Sequence, residues 1–147
     1  MRRILFVDDE PHVLDGLRRM LRSMRPEWQM EFEPSGLAAL EAMKRGPFDI
    51  VVSDMKMPGM DGADLLLRVR DLYPETIRII LSGYSEKEAV LKCMGAAHQY
   101  LSKPCEPEFL RSTIERTSAL RTLLGNESLK GLVSQMDSLP SLPALFQ

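Results

Sequence analysis

Ile50-Val51-Val52-Ser53-Asp54 is a β-branched apolar run closed by a lone carboxylate. Three other runs share this form. Ile4-Leu5-Phe6-Val7 leads into Asp8-Asp9, Ile77 to Leu81 into Ser82, and Gln99-Tyr100-Leu101-Ser102 into Lys103-Pro104. Continuous apolar runs with β-branched residues read as strands of a parallel sheet buried on both faces. In open α/β sheets, ligand sites gather at the carboxyl ends of the strands, near the switch in strand order. Three carboxylates, a hydroxyl and an ammonium are therefore expected at one corner.

Working outward, stretches of 3.6-residue periodicity separate the runs. Their stripes are Val13, Leu14, Leu17, Met20 and Leu21; Leu37, Leu40, Ala42 and Met43; Leu65, Leu66, Val69 and Leu72; Ala89, Val90 and Met94; and Phe109, Leu110, Ile114, Thr117, Leu120 and Leu124. Met30-Glu31-Phe32-Glu33 alternates like an edge strand. Ser35 suits an N-cap, Ser85 with Glu88 a capping box, and Pro74 and Gly95 helix ends. The order β-α-β-α-β-α-β-α-β-α calls for a doubly wound α/β domain with right-handed crossovers.

At 147 residues and 44% hydrophobic the chain fits one domain with a core plus a short extension. A formal net charge of −2 gives no electrostatic case for nucleic acid or an anionic membrane. No apolar run is long enough to span a bilayer, and Met1-Arg2-Arg3-Ile4 opens too short a run for a signal peptide. Cys93 and Cys105 lack zinc-type spacing with His12 or His98, so they read as reduced thiols of a cytoplasmic protein. Residues 1–124 form the expected domain. Within 125–147, Glu127 to Met136 suits a short linker helix, and two prolines three apart in Leu139-Pro140-Ser141-Leu142-Pro143 then exclude an ordinary helix. The unspent apolar residues at the end read as the start of a C-terminal output domain.

Asp8, Asp9 and Asp54 at one corner would repel unless one is protonated or a cation neutralises them. A hard divalent ion such as Mg²⁺ satisfies them, and it commonly binds one or two carboxylates, waters and substrate phosphate. A carboxylate is already ionised at neutral pH and needs no general base to attack a phosphoryl donor. The adjacent pair Asp8-Asp9 suits metal ligation. Asp54, alone before the turn-rich Met57-Pro58-Gly59-Met60-Asp61-Gly62, suits the nucleophile. Lys103 would stabilise charge on the transferring group, and the Ser82 hydroxyl would donate to the product phosphoryl.

Val7-Asp8-Asp9-Glu10-Pro11, Ser53-Asp54-Met55-Lys56-Met57-Pro58-Gly59-Met60-Asp61-Gly62, Ser82-Gly83-Tyr84 and Tyr100-Leu101-Ser102-Lys103-Pro104 resemble the receiver (CheY-like) domain of two-component response regulators, in family order over about residues 3 to 124. The resemblance implies a flavodoxin-like fold of five parallel strands ordered 2-1-3-4-5. It implies Mg²⁺-dependent phosphoryl transfer from a sensor histidine kinase or phosphotransfer protein to Asp54, with no turnover of other substrates. Asp9 would ligate Mg²⁺ directly, Asp8 mainly through water, and the Lys56 backbone carbonyl would be a third protein ligand. The Lys103-Pro104 bond would be cis. Phosphorylation adds about −1.5 to −2 charge. Ser82 would move toward it and Tyr100, at the aromatic switch position, would rotate inward, reshaping the face of the fourth helix, fifth strand and fifth helix. Homodimers would form through that face or the linker helix. Lys56 and Tyr84, two residues beyond Asp54 and Ser82, would crowd the hydrolytic water and lengthen the phosphoryl lifetime. Leu139-Pro140-Ser141-Leu142-Pro143-Ala144-Leu145 is similar to the opening of HDOD-type output domains.

Two rival functions compete. A haloacid dehalogenase-type phosphohydrolase wants Asp-x-Asp after the first strand, whereas this chain has Asp8-Asp9-Glu10 and no cap insertion. An unphosphorylated interaction module would not need the full residue set. Met55, Met57 and Met60 read as packing, His12 as a surface residue, and His98 carries no signal.

Overall fold

A computed structural model of the chain describes residues 1–83, 95–103 and 106–123. The elements are β1 (Arg2–Val7), α1 (Pro11–Met20), a 3-10 turn (Arg22–Met24), β2 (Trp28–Glu33), α2 (Gly36–Lys44), β3 (Ile50–Asp54), α3 (Gly62–Leu72), β4 (Ile77–Ser82), β5 (Gln99–Ser102) and α4 (Pro107–Leu123). All five strands pair in parallel, in the order β2-β1-β3-β4-β5. This is the flavodoxin-like arrangement expected from the sequence. The order reverses between β1 and β3, which makes their carboxyl ends the switch point.

Strand alternation divides the core into two layers. Leu5, Val7, Val51 and Ile80 pack with Ala39, Met43, Leu65, Leu66 and Val69 from α2 and α3. Ile4, Phe6, Ile50, Val52, Ile79, Leu81 and Leu101 pack with Leu110 and Ile114 of α4. Complete burial of β3 and β4 explains their unbroken apolar runs. β2 is an edge strand of mostly half-buried residues, as its alternation foretold.

The helix stripes need correction at their ends. Met20, Leu37, Leu72, Phe109 and Leu120 were expected in the core and are exposed. Each lies in the first or last turn of its helix, and at four of these ends the chain neighbour faces the core instead: Leu21 beside Met20, Gly36 beside Leu37, Tyr73 beside Leu72 and Leu110 beside Phe109. Ser35 caps α2, its Oγ accepting from the Ala38 N–H at 3.1 Å. Asp61 caps α3 in the same way at 2.8 Å, a cap the sequence reading missed. Gly95 has φ +93°, a positive value that favours glycine. The expected fourth helix, the Ser85 cap, Tyr84, Cys93, Pro104, Cys105 and everything after Leu123 lie outside the described residues.

Candidate functional site

The register of the sheet builds the corner. Val7 stands beside Ser53, Asp54 beside Leu81, and Ser82 beside Ser102. The chain therefore leaves β1, β3, β4 and β5 at one level, carrying Asp8-Asp9, Asp54, Ser82 and Lys103. Ligand atoms of Asp8, Asp9 and Asp54 all lie within 4.8 Å of one another. Asp8 and Asp54 are buried, Asp9 is half-buried, and the Lys103 ammonium reaches in from solvent to form an ion pair with Asp54 Oδ1.

Local bonds set this geometry. The Glu10 N–H donates to Asp8 Oδ1 at 2.9 Å, turning the chain into α1, where Pro11 occupies the first turn without a stranded donor. The Met55 N–H donates to the Leu81 carbonyl at 2.8 Å, and the Ser53 hydroxyl to the Asp54 carbonyl at 2.9 Å. The Lys103 N–H donates to the Ser82 carbonyl at 2.9 Å, fixing where the lysine leaves β5. Gly62 packs closely under Asp54. A Cβ there would lie 2.3 Å from the Asp54 carbonyl oxygen and 2.7 Å from Ile80 Cδ1. Neither the Ser53 hydroxyl nor this close approach was read from the sequence, although Asp61-Gly62 lay inside a quoted motif.

Burial raises the Asp8 carboxyl above its ordinary range, and the neighbouring charges of Asp54 and Asp9 push the same way. The Glu10 N–H and the Lys103 ammonium oppose them. A buried carboxyl with two carboxylate neighbours and one ammonium lacks positive charge. A small oxygen-preferring divalent cation fits that donor set.

Strand alternation also sorts the remaining residues. Asp8 and Asp54 continue the parity of Ile4, Phe6, Ile50 and Val52, the α1 and α4 side of the sheet. Ser82 continues the parity of Ile80, and Tyr100, paired with Ile80 in the register, packs half-buried against the α2 and α3 layer. The two expected switch residues thus share one face of the sheet. Lys56 is exposed, as is His12. Met55 and Met57 are buried and Met60 packs against that layer, in keeping with a packing role. His98 has a structural task that the sequence did not announce, since its Nδ1 accepts from the Arg78 N–H at 2.9 Å.

Among the described residues no helix is long and apolar enough to cross a membrane. The family model for the response regulator receiver domain matches residues 4–115. The hydrogenase transcriptional regulatory protein HoxA of Cupriavidus necator is 33% identical over 125 residues, covering 84% of this chain and 25% of HoxA. The chain therefore spans about a quarter of that relative's length. The structure of a response regulator receiver domain protein from Clostridium thermocellum aligns with TM-score 0.75 and 28% identity, over 84% of this chain and 99% of that one. The signal receiver domain of an HD domain-containing protein from Pseudomonas fluorescens Pf-5 aligns with TM-score 0.73 and 30% identity, over 78% and 92%. With the switch-point carboxylates and the 2-1-3-4-5 sheet, these matches identify the chain as a member of the response regulator receiver domain family of two-component signalling.

Proposed function

We propose that this chain is the phosphoacceptor of a two-component pathway, with Asp54 as the acceptor. The observation that carries the reading is the meeting of Asp8, Asp9 and Asp54 within 4.8 Å, with Lys103 paired to Asp54. The Asp54 carboxylate attacks the phosphorus of a phosphohistidine on a sensor histidine kinase or phosphotransfer protein. An O–P bond forms, the P–N bond breaks, and the histidine nitrogen keeps the electron pair. Asp8, Asp9 and Asp54, with the Lys56 backbone carbonyl, would hold Mg²⁺, which when bound supplies positive charge to the phosphoryl oxygens. Lys103 shifts its ammonium from the Asp54 carboxylate to the new phosphoryl group. The Ser82 hydroxyl donates to the same group, and Tyr100 moves into the space Ser82 leaves. The face that includes β5 and α4 then changes, and with it homodimer contacts there or through the linker helix. Residues 1–124 act as the cytoplasmic receiver, and 125–147 as linker and start of an output domain. A receiver from an HD domain-containing protein among the structural neighbours is in keeping with an HDOD-type output. The chain catalyses only its own phosphorylation and dephosphorylation.

Intact mass after acetyl phosphate with Mg²⁺ tests this reading. A phosphoryl adduct is expected in the natural chain and absent in Asp54→Asn; an adduct that persists in Asp54→Asn refutes the assignment.

A further inference from the structure

A second constellation lies away from the acidic corner. Between Gly16 and Pro26 the chain has four arginines and no carboxylate, although the whole chain carries a net charge of −2. Arg18 and Arg19 end α1, where positive charge suits the helix dipole. Arg22 and Arg25 lie beyond that helix, so the dipole does not account for them. Arg18 is held by Asp15 at 2.9 Å and lies over the Phe32 ring at 4.7 Å. Among the described residues no carboxylate pairs with Arg19, Arg22 or Arg25.

Two adjoining cavities share Arg18 and Arg25. One, of about 340 Å³, runs beside β2 and is lined by Arg18, Arg25, Met30, Glu31, Phe32 and Glu33. The other, of about 470 Å³, follows α1 and is lined by His12, Asp15, Arg18, Arg19, Arg22 and Arg25. The first has a half-buried apolar floor, since Met30 and Phe32 pack on the core and Phe32 stacks on Phe6 at 5.2 Å. Its lip is β2, whose one strand partner among the described residues is β1. The site thus combines a strand edge unpaired among the described residues, an apolar floor and a row of guanidinium forks. Edge pairing gives a peptide main-chain bonds, while pockets read its alternate side chains. Guanidinium forks favour carboxylates.

We propose that this trough docks an extended acidic segment of a partner protein, added to β2 as a sixth strand. Its apolar residues lie over Met30 and Phe32, and its carboxylates face Arg22 and Arg25. Two adjoining cavities running from His12 on α1 to Glu33 on β2 suit an extended chain better than a compact anion. Glu31 is already occupied by Arg3 and Arg45 and does not neutralise the arginine row.

The test uses the full chain and a short peptide alternating Asp with Val, compared with its Asn counterpart. Titration is followed by fluorescence of Trp28, the single tryptophan, which is buried at the start of β2, and by amide exchange of Trp28–Glu33. The expected result is salt-sensitive binding of the Asp peptide with slowed β2 exchange, weakened about tenfold or more by Arg22→Glu with Arg25→Glu. Those exposed residues stand outside the acidic corner, so phosphoryl uptake of the variant is expected to stay at the natural level and vouches for its fold. Equal binding of the Asn peptide, no binding, or insensitivity to the double substitution overturns the proposal. So does arginine-dependent binding of tripolyphosphate without β2 protection, which would make the trough an anion site. Slowed β2 exchange that tracks self-association would assign the edge to a second copy of this chain and overturn it as well.

Discussion

Replacing Asp8 by Asn should stabilise this protein in the absence of divalent metal. Its ligand atoms lie within 4.8 Å of those of Asp9 and Asp54. At that separation and an effective dielectric of about 20, each like-charge pair costs about 3.5 kcal/mol. Solvent screening of half-buried Asp9 and the attraction of Lys103 offset most of this, leaving a net cost of about 1–2 kcal/mol for an ionised Asp8. Asn preserves the acceptor for the Glu10 N–H. One kcal/mol moves the melting midpoint of a domain of this size by about 3–4 °C, so the variant should melt about 3–8 °C higher at neutral pH. The sign follows from the raised Asp8 carboxyl. The folded state holds its proton more tightly than the unfolded chain, whose ordinary value is 3.8. The natural chain therefore loses stability as pH rises from about that value through the raised one, and the Asp8→Asn variant escapes this loss. The gain should vanish in acid and be full at neutral pH. Saturating Mg²⁺ should narrow or reverse the order, because binding stabilises the natural chain more strongly. Thermal unfolding by circular dichroism with EDTA, and then with Mg²⁺, reads both. A metal-free Asp8→Asn variant that melts below the natural chain at pH 7 would refute the electrostatic account of the corner.

Two further expectations rest on contacts in the structure and a third on the sequence. Gly62→Ala would place a Cβ 2.3 Å from the Asp54 carbonyl, so it should cost about 2–3 kcal/mol and slow phosphoryl uptake; denaturant unfolding and intact mass check the two effects. Arg78→Met should cost about 2–4 kcal/mol in denaturant unfolding, since it strips the guanidinium from the carbonyls of Ala96 and Thr76 inside the protein. Lys56→Ala with Tyr84→Ala should speed dephosphorylation of Asp54, read by loss of the phosphoryl mass over time; an unchanged rate removes those two residues from control of the water.

The sheet was legible because burial on both faces leaves an unmistakable trace. Ile50–Asp54 and Gln99–Ser102 are strands at the residues the apolar runs marked, and the edge place of β2 followed from the wetter alternation of Met30 to Glu33. The site residues were legible for a related reason, since each strand end names the side chain it carries to the switch point. Helix ends were less so. Periodicity continues through Met20 and Leu72, but Leu21 and Tyr73 take the core-facing places at those ends, and only the folded helix termini reveal that. Close backbone approaches such as Gly62 against Asp54 leave no periodic trace. Long-range bonds such as Arg78 to His98, twenty residues apart, are invisible until the strands are laid side by side.

That last contact has a mechanical consequence. The Arg78 N–H bonds His98 Nδ1, the His98 N–H bonds the Arg78 carbonyl, and the Arg78 guanidinium bonds the Ala96 carbonyl, all where the chain enters β5. The end of β5 far from Asp54 is therefore clamped to β4. At the other end the Lys103 N–H donates to the Ser82 carbonyl, so a strand pinned at foot and tip cannot slide along its neighbour. Gln99 to Lys103 is a span of about 13 Å at 3.3 Å per residue, held to β4 by main-chain bonds at both ends. Rearrangement at Tyr100 or Lys103 is therefore left to side-chain rotation, while the backbone of β5 keeps its register with β4.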